Sequence, residues 1–312
     1  MRFAMIRRAR LLVLGAVAAV LLTGCGVEPG RAGAAAIVGG TRIPVAEVQS
    51  WMREAFAQDP DLEQRLQQQG RLDDSAREIA GHLVKQELVE QVAQREGLRV
   101  SPGRVEEVID RHGGVEEITR GSLLTPQQAR SMARSALLLT ELGRKYVPRL
   151  AVTVDYVQAA DRREAGEKAR RMAMGPQEAD RLLQEERRAG GQVVVDQRMT
   201  AAEDPEVAAM TPLFGALPGT VVAFEPRPRS GQWVVARVKQ RSADEQVVRD
   251  AAPLDDQVLE AVGTRLLAVT ADRVGVQLSP RYGVWDPIAL TAVPNEEETR
   301  GFWFSPVRAE VG

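Results

Sequence analysis

The chain has one cysteine, Cys25, and two histidines, His82 and His112, and these residue types commonly act as nucleophiles, bases or metal ligands. The sequence contains no HExxH, CxxC, GxSxG, GxGxxG or GxxxxGK[ST] pattern. Metal, nucleotide and catalytic-triad chemistry therefore lack the spacing they require, and we expect no metal and no cofactor. The two histidines have no acidic or cysteine partner at ligand spacing, which favours surface or hydrogen-bonded histidines on helices over ligands or bases.

Cys25 follows a segment that is typical of a bacterial export leader. Four arginines precede an apolar run over 11–22, and small residues lead into the cysteine. The run is too short to cross about 30 Å of hydrocarbon, which favours a removed leader (1–24) over an uncleaved anchor. The sequence Leu-Thr-Gly-Cys at 22–25 resembles the lipobox of bacterial lipoproteins. This resemblance implies cleavage before Cys25, acylation of its thiol and a lipid anchor on the extracytoplasmic face of the cell membrane.

Composition limits the classes of partner. The leader holds four of the 41 basic residues and none of the 43 acidic ones, so the remaining 288 residues carry a net charge of −6. This balance argues against nucleic acid and against a polybasic membrane contact. A hydrophobic content of 44% is ample for a buried core, and the length favours two modules. The bias toward Ala, Arg, Glu and Val is typical of GC-rich genomes, from which we expect an actinobacterial source.

The predicted elements that position these residues begin after a Gly/Ala-rich flexible tether over 25–36. Two very short strands about Gly39 and Gly40 come next, and residues 44–147 then show helical periodicity. The clearest helix boundary is Thr-Pro-Gln-Gln at 125–128, which combines an N-cap, an N1 proline and the N3 glutamine of a capping box. Val147-Pro148 marks the exit from this helical region.

The pattern changes to α+β beyond residue 148. Residues 149–242 indicate the order β-α-α-β-(α)-β-β, which implies a small domain on an antiparallel or mixed sheet. Residues 243–278 predict a helix, about 253–269, and then a strand that includes Val274. We expect residues 279–312 to be a turn-rich segment and a tail. The predicted fold class is therefore α+β and mainly helical.

This order of an export leader, the short turn Ile-Val-Gly-Gly-Thr-Arg-Ile-Pro at 37–44, a multihelix module and a small α+β domain resembles the SurA/PrsA family of extracytoplasmic chaperones. These proteins join a helical peptide-binding module to a parvulin-type prolyl isomerase domain. The resemblance implies a SurA-like N-terminal module over 37–148 and a parvulin-like domain over 149–242, with the segment 243–278 returning to the helical module. The partners it implies are unfolded or nascent exported polypeptides, without nucleic acid or nucleotide.

The same resemblance places Tyr156 and Trp233 where active parvulins carry the histidines of their first and last strands. Gly-Gly-Gln at 190–192 lacks the acidic residue of the family's Gly-Gly-Asp motif, whereas the turn over 213–221, which includes Phe214, is kept. No catalytic residue is therefore assigned, and the domain is predicted to be degenerate. Tyr156, Trp233 and Phe214 either fill the core or contact an extended apolar or proline-containing peptide.

Three functions remain open from the sequence. The first is a membrane-tethered, ATP-independent chaperone that binds extended segments of exported proteins. The second is an active peptidyl-prolyl isomerase, which would bind the twisted amide more tightly than either planar form. The third is a scaffold or accessory lipoprotein for one dedicated partner in the cell envelope.

Overall fold

The computed structural model describes residues 33–227, 229–244 and 254–306. Within these ranges the chain has a mainly helical α+β architecture, which confirms the predicted fold class. The predicted leader and Cys25 lie outside the described residues. The helices that precede residue 150 are α1 (Val45–Gln58), α2 (Pro60–Gln68), α3 (Leu72–Glu96), α4 (Pro102–Arg111), α5 (Val115–Thr119) and α6 (Pro126–Tyr146).

Local sequence signals explain several of these helix ends. At the start of α6, the backbone N–H of Gln128 donates to Thr125 Oγ1 at 3.4 Å and the backbone N–H of Thr125 donates to Gln128 Oε1 at 2.9 Å. The predicted capping box is therefore formed. At the end of α3, Gly97 takes a φ of 68°, a left-handed conformation that a residue with a Cβ rarely adopts.

A small sheet joins the start of the described chain to a segment near its end. Strand β1 (Ala34–Val38) pairs antiparallel with β2 (Thr41–Pro44) on one edge and with β7 (Val276–Leu278) on the other. The predicted tether is wrong for residues 34–36, because these alanines belong to β1 and are buried. Small side chains suit this position because β1 lies directly against α3.

The C-terminal helix α10 (Asp256–Val274) packs along α6 and also contacts α3. The Asp255 side chain caps its start by accepting a hydrogen bond from the backbone N–H of Val258 at 2.8 Å. The helix ends five residues later than the sequence predicted, so Val274 is its last residue and does not belong to the strand. The segment thus lies against the helical part of the molecule.

A five-stranded antiparallel sheet forms the second part of the fold. Its elements are β3 (Ala151–Ala159), α7 (Arg162–Ala173), α8 (Pro176–Arg188), β4 (Val193–Thr200), α9 (Pro205–Met210), β5 (Val221–Phe224), β6 (Trp233–Ser242) and β10 (Gly301–Phe304). The order of the strands in the sheet is β10-β5-β6-β3-β4. Helices α7 and α8 pack on one face of this sheet, and α9 follows β4.

The predicted turn-rich segment and tail over 279–312 is wrong for its described residues beyond 283. A hairpin forms from β8 (Val284–Asp286) and β9 (Thr291–Val293), and β10 then pairs with β5 at the edge of the large sheet. The buried Asp286 accepts hydrogen bonds from the backbone N–H groups of Ile288 at 2.8 Å and Arg300 at 2.7 Å. Strand β10 is held by its pairing with β5, which lies much earlier in the chain, and so short a strand shows no periodic sequence pattern of its own.

Apolar side chains form four buried clusters within the described residues, and two of these clusters pack against the large sheet. The larger of these two cores continues from the helical part onto the face of the sheet opposite α7 and α8, and the smaller one lies between the sheet and those two helices. An ion pair is buried beside the smaller core: Arg237 Nη2 donates to Asp155 Oδ2 at 3.0 Å. Asp155 is only 1% exposed, so this charge depends on its partners.

Candidate functional site

A cavity of about 380 Å³ opens among the helices of the first part of the chain. Its walls come from α3, α4, α5 and α6, and Glu260 of α10 completes the lining. Most of the lining side chains are apolar, and they include Val89, Ile109 and Leu139. The surface-exposed Met132 and His112 lie at its rim. A concave, mainly apolar surface with few polar groups is typical of a ligand-binding site.

The amphipathic patterns of α4 and α6 position two of these walls. Val105 and Ile109 lie four residues apart on the buried side of α4. On α6, Ala129, Met132, Ala133 and Ala136 follow the 3.6-residue period and line the cavity. The small alanine side chains leave the space that a larger apolar residue would fill.

His82 of α3 lies in the cavity wall, with its ring edge-to-face against the indole of Trp51. The ring centroids are 5.3 Å apart and the planes meet at 81°. Among the described residues, His82 Nε2 is buried without a hydrogen-bond partner. Burial, with a smaller effect from Lys85, lowers the pKa of His82 to about 4. The prediction of a surface or hydrogen-bonded histidine is therefore wrong for His82.

His112 fits that prediction. Its side chain is exposed, and its Nδ1 lies 2.8 Å from the carbonyl oxygen of Val108 one turn earlier. The chain's two histidines thus line the same cavity, although no sequence pattern paired them.

The cavity contains a few other polar groups. Ser135 Oγ is also buried without a partner among the described residues. Burial lowers the pKa of Lys85, against the opposing effect of Glu260. No hydrogen bond joins Ser135 to His82 in the described part of the chain, so a nucleophile with its base is not assembled here. The arrangement can accept an apolar group and offer it hydrogen-bonding atoms.

The structure separates the residues predicted for the large sheet from this cavity. Phe214 is fully buried in the larger core, and Trp233 is 7% exposed in the smaller one. Neither presents its side chain to a peptide in this structure, which corrects the suggestion that they contact one. Tyr156 is half-buried and packs against the larger core.

Phe214 is closely packed on all sides among the described residues. The 3₁₀ turn Leu213–Gly215 lies against α10, and a methyl group on Gly215 would overlap the carbonyl oxygen of Arg265. Arg241 Nε also donates to the carbonyl oxygen of Phe214 at 3.0 Å. The start of the turn that the resemblance marks as kept is therefore buried against α10.

The cavity was not predicted because its walls have the sequence pattern of ordinary amphipathic helices. One signal was available: α3 carries a second row of residues, His82, Lys85 or Gln86, and Val89, beside its main apolar stripe. A helix with two sides that both face away from solvent has to contact two neighbouring parts of the structure. Here the second face lines the cavity.

Comparison with known proteins bears on this part of the chain. Residues 3–114 match the family model of the SurA-like N-terminal domain. Within the described residues, this SurA-like segment runs from β1 through α4 and includes His82, whereas α5 and α6 lie beyond it. The match indicates a chaperone-like role and fits the binding of unfolded polypeptides. Neither the curated proteins nor the solved structures gave a match.

None of the helices within residues 33–227, 229–244 and 254–306 combines the length and the apolar character needed to cross a bilayer.

Proposed function

We propose that this protein is a chaperone-like lipoprotein that binds unfolded or extended segments of exported polypeptides. The observation that carries the proposal is the apolar cavity of about 380 Å³ whose α3 and α4 walls belong to the SurA-like segment. Burying one Val, Leu or Phe side chain contributes about 1.5–3 kcal/mol. Contacts of this size favour weak, reversible capture, which needs no nucleotide.

The polar atoms of the cavity suit an extended polypeptide. An unfolded segment brings backbone N–H and C=O groups along with each apolar side chain, and these groups need partners when they leave water. Within the part of the chain that the structure describes, His82 Nε2 and Ser135 Oγ of the same lining have no hydrogen-bond partner. A bound segment would therefore satisfy atoms that are costly to leave unpaired.

Anchoring by Cys25 is the second element of the proposal. Its support is the leader and the Leu-Thr-Gly-Cys sequence at 22–25, since the cysteine lies outside the described residues. Strand β1 begins at Ala34, so eight residues separate its start from the cysteine, and the nine residue steps from Cys25 to Ala34 span at most about 30 Å when extended. The binding cavity would then work close to the extracytoplasmic face of the membrane.

We further propose that residues 149–242 derive from a parvulin-type isomerase that has lost its activity. Support comes from the order β-α-α-β-α-β-β and from Tyr156 and Trp233 at the positions of the family's histidines. His82 and His112 both lie in the helical part and cannot replace them. A prolyl-peptide assay should give the rate of the buffer control. A measurable rate increase would favour the alternative, an active peptidyl-prolyl isomerase.

The chaperone proposal is tested by the delay of aggregation of an unfolded client at stoichiometric amounts of the purified full-length protein. Met132→Glu places a charge at the cavity rim and should reduce the delay at least twofold. Met174→Glu is the matched control, because Met174 is 79% exposed on the surface after α7 and does not line the cavity. Equal protection by both variants, or no protection by the wild type, would contradict the proposal.

The scaffold alternative predicts a different set of partners. Crosslinking in the native envelope, followed by purification of this protein, should recover many exported polypeptides if it acts on unfolded clients. One dominant partner at constant ratio would favour a dedicated scaffold.

A further inference from the structure

A second, smaller pocket of about 140 Å³ lies where the helical part meets the large sheet. It is formed by the C-terminal ends of α3 and α6, by α10 and by the end of β6. Three arginines line it, Arg95, Arg241 and Arg273, and we call it the arginine pocket. Glu96 is the one acidic residue in its lining.

The carboxylate of Glu96 is already engaged by other groups. Lys145 Nζ and the Tyr146 hydroxyl each donate to its Oε2 at 2.8 Å. Arg95 Nε lies 3.4 Å from its Oε1. The contacts of the Glu96 carboxylate are therefore with Lys145, Tyr146 and Arg95, and none of its ion pairs among the described residues is with Arg241.

Arg241 is the most buried cation of the arginine pocket. Its Nε donates to the carbonyl oxygen of Phe214, and no carboxylate within the described ranges forms an ion pair with it. Burial, and then the neighbouring Arg273, lowers the pKa of Arg241 to about 10, so the guanidinium stays charged at neutral pH. A buried charge without a counter-charge is costly, because one hydrogen bond to a carbonyl replaces only part of its hydration.

The partial negative charges at the C-terminal ends of the helices do not offset the cost of burying Arg241. The C-terminal turns of α3 and α10 carry partial negative charge, which stabilises Arg95 and Arg273 on those turns. Arg241 lies on strand β6. A guanidinium has five N–H donors, and Arg241 uses one of them on a partner among the described residues, so its fork can bind a planar or tetrahedral oxyanion.

We propose that the arginine pocket binds an oxyanion, a carboxylate or a phosphate group, with Arg241 as its principal contact. The volume of about 140 Å³ suits such a group and is far below the 300–1,000 Å³ of pockets that enclose drug-sized ligands. Two sources can supply this chemistry: free inorganic phosphate, or the C-terminal carboxylate of a polypeptide. The proposal is independent of the apolar cavity and of its clients.

The test measures the melting temperature and the binding isotherm of the purified full-length protein at constant ionic strength. One titration uses inorganic phosphate. Another uses N-acetylated tetra-alanine with a free C-terminal carboxylate, alongside the same peptide with an amidated C-terminus. We expect a saturable rise in melting temperature with phosphate, with the free-carboxylate peptide, or with both, and a response to the amidated peptide at least tenfold weaker. The probe that binds identifies the source.

Arg241→Met keeps an apolar stem and removes the charge, so it should weaken binding at least tenfold. Arg163→Met is the matched control, because the Arg163 side chain is 75% exposed on α7, away from the pocket. If Arg241→Met does not fold, Arg95→Met, whose side chain is 43% exposed, replaces it with the same expected direction. No saturable response to either probe, or equal binding by wild type and the pocket variant, would overturn the proposal.

Discussion

Gly143 of α6 and Gly263 of α10 bring the two helices together at backbone distance. A methyl group on Gly143 would overlap the carbonyl oxygen of Leu259, and a methyl group on Gly263 would overlap that of Leu139. The relationship is reciprocal. Gly143 faces the residue four positions before Gly263, and Gly263 faces the residue four positions before Gly143. Glycine weakens a helix by about 0.5–1 kcal/mol relative to alanine. The close packing that glycine permits at both positions offsets this cost.

Gly263→Ala should destabilise the protein, because the new methyl group forces α10 away from α6. We expect a loss of about 3 kcal/mol in the free energy of unfolding, measured by urea denaturation. Gly103→Ala on α4 is the control, since no atom lies within 4 Å of the added methyl group. That variant should be neutral or slightly more stable, and a similar loss in both would show that helix contact is not the cause.

The buried His82 predicts a specific dependence of stability on pH. Its folded-state pKa of about 4 lies below the ordinary value of 6.5, so between these pH values the unfolded state binds more protons than the folded state. The free energy of unfolding should therefore fall as the pH falls from 6.5 to 4, by up to about 3 kcal/mol from this residue. Urea denaturation at a series of pH values measures the effect.

His82→Gln should flatten the pH profile in that window, because glutamine does not titrate. His112→Gln, at the surface end of the same cavity, should keep the wild-type slope. An unchanged slope in His82→Gln would assign the pH dependence to other groups.

The buried pair of Asp155 and Arg237 should show strong coupling in a double-mutant cycle. Arg237→Met leaves the buried Asp155 carboxylate with Lys239 Nζ, 3.5 Å away, as its remaining ion-pair partner among the described residues, and should cost about 3 kcal/mol of unfolding free energy. Asp155→Asn combined with Arg237→Met should cost clearly less than the sum of the two single changes. The half-exposed pair Arg171 and Glu178, 2.6 Å apart, is the control and should couple by about 1 kcal/mol or less. Additive effects at Asp155 and Arg237 would contradict the expectation.

Arg162 is predicted to hold β10 on the sheet. Its Nη1 donates to the carbonyl oxygen of Thr299 at 2.7 Å, and its guanidinium lies 4.8 Å from the ring centroid of Phe302. Arg162→Ala should speed amide hydrogen exchange in β10 roughly tenfold, because these contacts contribute about 1–2 kcal/mol. Arg163→Ala, which changes an exposed neighbour, should leave that exchange unchanged. Equal rates in the two variants would show that β10 is held by its backbone pairing with β5 alone.

Much of the fold followed from short-range signals in the sequence. The capping box at Thr125 fixed the start of α6, and the alternation of apolar residues after Ala151 predicted β3. These signals work because neighbouring residues decide caps and periodicity. Strand β10 escaped prediction because its four residues are held by partners more than 70 positions away.

The candidate site was harder to predict than the fold. The sequence indicated no reason to place His82 beside Trp51, since that contact depends on how α1 packs against α3. Trp233 and Phe214 were chosen from a family pattern, and their burial followed from β10 and α10, which lie much later in the chain. Cavities and buried faces depend on such long-range packing.

The pairing of Val38 in β1 with Val276 in β7 also sets the order in which the protein can be completed during its synthesis. The ribosome adds about 5–20 residues per second, so the partner strand emerges roughly 10–50 s after β1. Throughout that interval the apolar sides of β1, α3 and α6 lack the covering that α10 and β7 later provide. A protein proposed to bind unfolded polypeptides therefore passes through a long stage in which its own chain is incomplete and its apolar surfaces are uncovered.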